Sequence, residues 1–276
     1  MTETKTLTER MELITEHEGE ERTFYLFEQG TYNVLGNQIE EAGMKRANLG
    51  EVISAVLEAY KENSRYSKEK QDKIKGILEK NTFYGFTESI VLPNQDVIYA
   101  YDAPTKADEI DINNPNLERI LRDNTEKRVS FEYKTGEQSL EEFRVNLYLT
   151  LLAGKEGARK AAEIAFKFRL NPYLWSLSKQ KTKPFKTVSA LNSSWGLDPG
   201  LFVGGYSLGD SGDGFALGYV VGKKISPQNF DKSLNKTQQT SEEKLSKEEI
   251  IKKAKKEVEA RYIDDIVERF RNIDLD

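Results

Sequence analysis

The sequence predicts an α+β fold with mostly antiparallel sheet segments and clustered helices. Two observations lead to this prediction. Apolar runs of strand length, each bounded by turn residues, concentrate in two stretches of the 276-residue chain, at about 86–101 and 185–221. Helical patterns occupy other stretches and do not alternate strictly with the strands, which disfavours a parallel βαβ sheet.

The N-terminal part predicts one helix and one hairpin. Residues 6–15 carry apolar side chains at helical spacing and predict a short amphipathic helix. Residues 23–27 are apolar or aromatic on both faces and predict a strand that is covered on both sides. Gln29 and Gly30 then predict a turn toward a second strand at 32–35.

The strongest hairpin signal is the tetrapeptide PNQD at 93–96, which has turn-forming residues at every position. It separates apolar strands at 86–92 and 97–101. A glycine-rich loop joins the last two strands of the chain, and we expect it to be a hairpin loop. The last two strands are predicted at 201–206 and 215–221. Two further strands are predicted at 129–133 and 185–191.

Two capping boxes predict helix N-termini, because in this motif two polar side chains satisfy backbone N–H groups reciprocally. One pairs Asn48 with Glu51, and the other pairs Ser139 with Glu142. We expect Gly154 to end the helix that Ser139 begins. Further helices are predicted to begin near Ser67, to begin at Asn114-Pro115, and to span 156–169.

The domain organisation is predicted from shifts in composition. Residues 1–21 form an acidic segment, since seven Glu stand there against Lys5 and Arg10. An α+β body follows at 22–222, with two subdomains at about 22–135 and 136–222. The polar stretch 223–245 predicts a flexible linker, and 246–276 predict an amphipathic C-terminal helix.

Composition limits the functions that the chain can have. It contains no cysteine, which excludes disulfides, thiolate zinc sites and cysteine nucleophiles and favours a cytoplasmic location. The N-terminus has no signal-peptide pattern, and no apolar run reaches the length of a membrane helix, so we expect no membrane insertion. With a net charge of −5, largely contributed by the N-terminal segment, nucleic-acid binding is disfavoured.

The loop at 209–214 (GDSGDG) resembles, over a few residues, the nucleophile loop of trypsin-like serine proteases. That resemblance implies Ser211 as a nucleophile, which would need a histidine as its base. The only histidine is His17, in a Glu-rich context without an apolar strand pattern. We therefore interpret the loop as structural, with Gly supplying positive φ and Asp hydrogen-bonding its own backbone.

A metal site would need oxygen ligands, because one histidine and no cysteine leave only carboxylates and carbonyls for an ion such as Mg²⁺ or Ca²⁺. The acidic loop after the strand at 97–101 offers the first candidates, Asp102, Asp108 and Asp111. The pair Asp210 and Asp213 is a second candidate. Neither group matches the twelve-residue calcium loop, and no other cofactor is expected.

Aromatic side chains on predicted strands could stack on the bases of a single-stranded nucleic acid. Core packing is the other interpretation, since aromatic residues favour buried strand positions. The residues concerned are Phe24, Tyr25, Phe83, Tyr84, Phe86, Tyr99, Tyr101, Phe131 and Tyr133.

The C-terminal helix is the best sequence candidate for a protein-binding element. Its apolar positions repeat chiefly every four residues, so the stripe winds around the helix and does not form a heptad seam. Such a helix can dock on its own body, or it can bind a partner or a second copy. The candidate contact residues are Ile250, Val258, Tyr262, Ile266 and Phe270.

The leading functional hypothesis is a non-enzymatic cytoplasmic binding or protein-interaction protein. One alternative is a divalent-metal-dependent hydrolase or phosphoesterase that uses the carboxylates of Asp102, Asp108 and Asp111. The other is a single-stranded nucleic-acid-binding protein. An enzyme should gather polar groups in a cleft, whereas an interaction protein should expose an apolar surface.

Overall fold

A computed structural model describes residues 10–102, 111–124, 127–175, 183–195, 198–207 and 214–220. These residues belong to one compact unit and confirm the α+β class. The strands are β1 Glu12–His17, β2 Glu20–Gly30, β3 Lys45–Arg46, β4 Phe83–Leu92, β5 Val97–Asp102, β6 Arg128–Ser130, β7 Gly136–Glu137, β8 Asn171–Leu174, β9 Phe185–Trp195, β10 Asp198–Ser207 and β11 Gly214–Tyr219. The α-helices are α1 Tyr32–Glu41, α2 Leu49–Glu58, α3 Lys68–Lys80, α4 Leu117–Asn124, α5 Leu140–Arg144 and α6 Leu147–Phe168.

The strands form one sheet in the order β1-β2-β11-β4-β9-β10-β8-β7, with β3 paired to β11 and with β5 and then β6 branching from β4. Only β10 with β8 and β11 with β4 are parallel pairs among the described strands. All other pairings are antiparallel, which confirms the predicted sheet type. The central strand β4 is buried along its whole length.

One edge of β4 is shared by two different strands. β11 pairs with Phe83 and Tyr84, whereas β5 pairs with the second half of β4, from Thr87 onward. Ala47 fills the gap between them, because its N–H donates to the Leu217 carbonyl and its carbonyl accepts from the Phe86 N–H at 2.9 Å. The sheet therefore divides at this point into two branches, β11-β2-β1 and β5-β6.

Helix α2 begins directly after this gap and is buried along all of its residues. It crosses α6 at very short range, because Gly50 and Gly157 have no side chains to separate the two backbones. A Cβ atom on Gly157 would lie only 3.1 Å from the Gly50 Cα atom. This crossing joins the two helices to the main hydrophobic core over the sheet.

Two N-terminal predictions are wrong. Residues 12–15 lie in strand β1 and not in a helix, because burial alternates along Glu12–His17 with the strand period of two. Residues 32–35 begin helix α1 and not a second hairpin strand. Its buried side chains include Tyr32, Leu35 and Ile39, which are spaced three or four residues apart as on one helix face.

The capping boxes at Asn48 and Ser139 are confirmed, as is the 93–96 hairpin. The helix that Ser139 caps is shorter than predicted, since it ends at Arg144. Asn146 then caps α6 by accepting the N–H groups of Tyr148 and Leu149 at 3.0 and 3.3 Å. Gly154 therefore does not end the helix that Ser139 begins, but it does interrupt the helical backbone inside α6, with φ of 73°.

The three predicted C-terminal strands are confirmed as β9, β10 and β11. The predicted hairpin between the last two is wrong, because β4 and β9 lie between β10 and β11 in the sheet. Residues 208–213 therefore connect strands that are not neighbours. Ser211, Asp210 and Asp213 themselves lie outside the described residues, as do the predicted linker 223–245 and C-terminal helix.

Replacing Gly50 by alanine should destabilise the protein by about 1–3 kcal/mol, the usual cost of overpacking a core. A Cβ atom at this position would overlap the Ala153 carbonyl oxygen, which belongs to backbone and cannot rotate away. The free energy of unfolding from urea denaturation measures the effect.

Gly76→Ala is the matched control, because nothing lies within 4 Å of a Cβ atom at this position in helix α3. This substitution should raise the free energy of unfolding by about 0.5–1 kcal/mol, the usual gain of Ala over Gly in a helix. Equal gains for both variants would contradict the close helix crossing.

Candidate functional site

A cleft of about 680 Å³ opens where the two branches of the sheet separate. One wall comes from β1, β2 and β11, and the other comes from β5 and β6, while α2 and α6 close the remaining sides. The charged and polar residues of its lining are His17, Glu18, Arg22, Asn48, Glu51, Asp102, Lys127, Arg128, Thr150 and Tyr219.

Glu51 is the most buried acid in this cleft, with 2% of its surface exposed. Its Oε2 atom accepts the backbone N–H of Asn48 at 2.7 Å, and its Oε1 atom accepts a hydrogen bond from the Arg22 guanidinium. Burial raises the pKa of the Glu51 carboxyl, and the Asn48 N–H and Arg22 oppose this shift. Burial also raises the pKa of Tyr219 to about 12, with a further contribution from Glu51.

Asp102 lies at the end of β5 and is bound through both of its carboxylate oxygens. Oδ1 accepts from the Thr87 hydroxyl at 3.2 Å, and Oδ2 accepts from Lys127 Nζ at 2.7 Å. Thr87 Oγ1 in turn accepts the N–H of Leu49, the first residue of α2, at 3.1 Å. Thr87 therefore connects the start of α2 to the β5 side of the cleft.

His17 ends strand β1 and is 4% exposed, so the interpretation that it lies outside any strand pattern is wrong. Its Nδ1 atom lies 2.9 Å from Ser54 Oγ. The Ser54 hydroxyl donates to the Gly50 carbonyl and accepts from Lys160 Nζ, so Nδ1 is the donor and neutral His17 carries its proton there. Burial lowers the pKa of His17, and the charges of Lys160 and Arg22 lower it further, against Glu18.

The α6 side of the cleft is apolar. Leu147 and Leu151 lie on the first turns of α6, and Leu147 is 53% exposed. Val129 of β6 adds a third half-buried apolar side chain to the same lining. Val145, two residues before the start of this helix, is exposed as well. The cleft therefore combines two surfaces. Its apolar wall is formed by Leu147, Leu151 and Val129, and its charged floor is formed by the side chains of Arg22, Glu51, Asp102 and Lys127.

The charges in the lining balance, because three cations (Arg22, Lys127 and Arg128) stand against three anions (Glu18, Glu51 and Asp102). Arg22 with Glu51 and Lys127 with Asp102 form ion pairs. Ser54 is buried and does not line the cleft, so its hydroxyl is not placed to attack a ligand there. The arrangement is suited to holding polar groups in fixed positions.

The structure describes two of the three predicted metal ligands and does not bring them together as ligands. Asp102 lines the cleft with both oxygens occupied, and Asp111 Oδ1 accepts the Asn113 N–H at 2.9 Å in a local turn. Asp108 lies outside the described residues. Among the described residues, no group of three acidic or histidine side chains could hold a metal ion.

The aromatic side chains proposed as a stacking platform lie in the interior. Eight of the nine are buried, and the ninth, Tyr133, packs against the core and stacks on Tyr148. Core packing is thus the interpretation that their burial supports. The proposed partner-binding residues Ile250, Val258, Tyr262, Ile266 and Phe270 lie outside the described residues.

Sequence reasoning identified Asp102 but missed the other charged residues of the cleft. Glu51 was recognised only as the cap of α2, although the same carboxylate also binds Arg22. One feature of the sequence could have indicated a role for Arg22. It is the only cation in a strand whose following residues are apolar. No local pattern connects these residues with Tyr219, which lies nearly two hundred positions further along the chain.

No protein-family model matches the chain, and no curated protein matches it. A solved structure described as "Accommodation of massive sequence variation in Nanoarchaeota by the C-type lectin fold" is similar to this chain, with 12% identity and a TM-score of 0.48. The alignment covers 74% of this chain and 100% of that one. Similarity at this level carries no conclusion about the ligand or fold family of this chain.

The burial of His17 predicts an acid-dependent loss of stability. The pKa of His17 in the folded protein lies below its ordinary value of about 6.5. As the pH falls through this value, the histidine of the unfolded chain is therefore protonated before that of the folded protein. The free energy of unfolding should therefore fall as the pH is lowered from 7.5 to 5, and this contribution should be constant above about 7. Urea denaturation at both pH values measures the loss.

His17→Asn is the control, because an asparagine amide can donate to Ser54 but does not titrate. Since His17 is the only histidine, the variant removes the whole histidine contribution and should lose less stability between the two pH values. An equal loss in both proteins would show that His17 does not titrate below its ordinary range.

Proposed function

We propose that this chain is a non-enzymatic binding protein and that its ligand occupies the cleft between the two branches of the sheet. The observation that carries the proposal is the cleft itself, where fixed ion pairs lie beside exposed apolar side chains. A volume of about 680 Å³ is typical of sites that bind small molecules or single peptide residues. The cysteine-free composition supports a cytoplasmic location.

Binding is favoured over catalysis by the partners that the titratable groups already have. A general base must accept a proton from its substrate, which requires a lone pair directed at the ligand. Each oxygen of Glu51 and of Asp102 already accepts one hydrogen bond from the protein, which reduces the number of lone pairs that a ligand's proton could reach. Such paired groups can still bind a ligand, because they hold dipoles and charges in fixed positions.

The apolar wall determines what kind of ligand fits. Leu147, Leu151 and Val129 would be covered by an apolar group, and each square ångström of apolar surface removed from water contributes about 25 cal/mol. The ion pairs offer hydrogen bonds to polar groups beside it. We therefore expect a ligand with adjacent polar and apolar parts, such as a peptide segment or a small amphiphilic molecule.

A thermal-shift panel tests the proposal. The full-length protein is melted with millimolar amino acids, tripeptides, mononucleotides and simple sugars, each added separately. A compound at 100 times its Kd should stabilise the native state by about 2.7 kcal/mol and raise Tm. Thr150→Trp should abolish the shift, because Thr150 lines the cleft and an indole there would fill it.

Phe166→Trp is the control, since it places an indole on an exposed position of the same helix that does not line the cleft. It should keep the ligand-induced shift. The proposal fails if no compound raises Tm, or if the shift survives in Thr150→Trp. Mass spectrometry of the recovered compound should show it unchanged, and conversion to a product would instead favour an enzyme.

The predicted C-terminal helix is a second place where a protein partner could bind. Its apolar stripe from Ile250 to Phe270 is a sequence-based prediction, independent of the cleft. We propose it as an additional contact for a partner or a second copy, and a pull-down that compares the full chain with Val258→Glu and Ile266→Glu tests it.

A further inference from the structure

Strand β6 is the outermost strand of its branch. It pairs with β5 on one side, and no described strand pairs with its other side. It lies beside the cleft, because Lys127, Arg128 and Val129 all belong to the lining. An exposed strand edge of this kind presents backbone donors and acceptors to which an extended chain can pair.

The hydrogen bonds to β5 show which backbone groups of β6 face outward. The Lys127 carbonyl accepts from Ala100, and the Phe131 N–H donates to the Asp96 carbonyl. In an antiparallel pair such bonds recur at every second residue. The backbone N–H and C=O groups of Val129 therefore also point toward β5. The N–H and C=O groups of Arg128 and Ser130 therefore point away from β5.

The surroundings of this edge favour a particular kind of chain. Val129 packs against the core and lines the cleft with Leu147 and Leu151, so a side chain added on this face would be apolar. Arg128 is exposed and forms no ion pair within the described residues, and Lys127 lies next to it. An added chain would therefore carry an acidic residue near Arg128.

We propose that an extended peptide segment of a partner protein binds as an added strand along the Arg128–Ser130 edge and places an apolar side chain in the cleft. The segment alternates apolar and acidic residues, because consecutive side chains of a strand point to opposite faces. Backbone hydrogen bonds to Arg128 and Ser130 hold it, and the cleft selects its side chain. This proposal rests on the proposed function and specifies its ligand class.

Ser130→Pro isolates the backbone contribution. Proline removes the outward N–H of Ser130 and leaves the bonds to β5 intact, and proline is tolerated on strand edges for this reason. Ser130→Val is the matched control, because it also removes the hydroxyl but keeps the N–H group. Both variants lose the hydroxyl, and proline differs from valine in the missing N–H and in its fixed φ.

The probe is a phage-displayed library of random linear heptapeptides, selected on the full-length wild-type protein. Enriched peptides should alternate apolar and acidic residues. Synthetic copies should bind Ser130→Val as tightly as the wild type and Ser130→Pro at least tenfold more weakly. Arg128→Glu should weaken them by a similar factor, and amide exchange at Arg128 and Ser130 should slow when they bind.

Other outcomes would overturn the inference. Enrichment of no peptide, or equal binding by Ser130→Pro and Ser130→Val, would exclude strand addition. Amides of Arg128 and Ser130 that are protected in the free protein would show that this chain already covers the edge, and self-association lost only in Ser130→Pro would identify a second copy as its occupant. A thermal shift by a small molecule that Thr150→Trp abolishes would keep the proposed function even if strand addition fails.

Discussion

Two strands, β11 and β5, pair with different parts of one edge of β4, and this sharing determines the architecture of the protein. A buried strand must have its backbone groups satisfied along its whole length, because an unpaired buried N–H or C=O group costs about as much as a lost hydrogen bond. β11 satisfies the first part of the edge and β5 the second, and they leave a gap at Gly85 and Phe86. Ala47 closes this gap by accepting the Phe86 N–H, and Leu49 donates its N–H to the Thr87 hydroxyl beside it.

The cleft and its charges follow from this division. Two branches that leave the same edge diverge, so their ends cannot cover each other. The chain places polar side chains where the branches separate, and α2 begins in the same place with Asn48 and Glu51. Because burying a lone carboxylate is costly, Glu51 is retained only with the Asn48 N–H and Arg22 as partners. These fixed pairs give the cleft its charged floor.

Local features of the fold could be predicted from the sequence, and features that depend on distant residues could not. The capping boxes at Asn48 and Ser139 and the 93–96 turn each depend on a few neighbouring residues, and all are confirmed. The order of the strands depends on pairings between residues far apart in sequence. For this reason the glycine-rich loop was interpreted as a hairpin, although β4 and β9 separate the strands that it connects.

The candidate site shows the same limit. Asp102 was found because acidic residues follow a strand, but its partners Thr87 and Lys127 come from other strands or loops. His17 was misinterpreted because its neighbours are charged. The strand period places Glu16 toward solvent and His17 toward the core, and this period is visible only once residues 12–17 are recognised as a strand.

Hydrogen exchange at the Leu49 amide tests the central claim most directly, because Thr87 is the residue that joins α2 to the gap in the sheet. Thr87→Val keeps the shape of the side chain and removes the acceptor, so the Leu49 amide should lose its protection and the protein about 1–3 kcal/mol of stability. Thr87→Ser keeps the hydroxyl and should keep the protection. A protected Leu49 amide in Thr87→Val would contradict the account, since α2 would then begin at the gap without this bond.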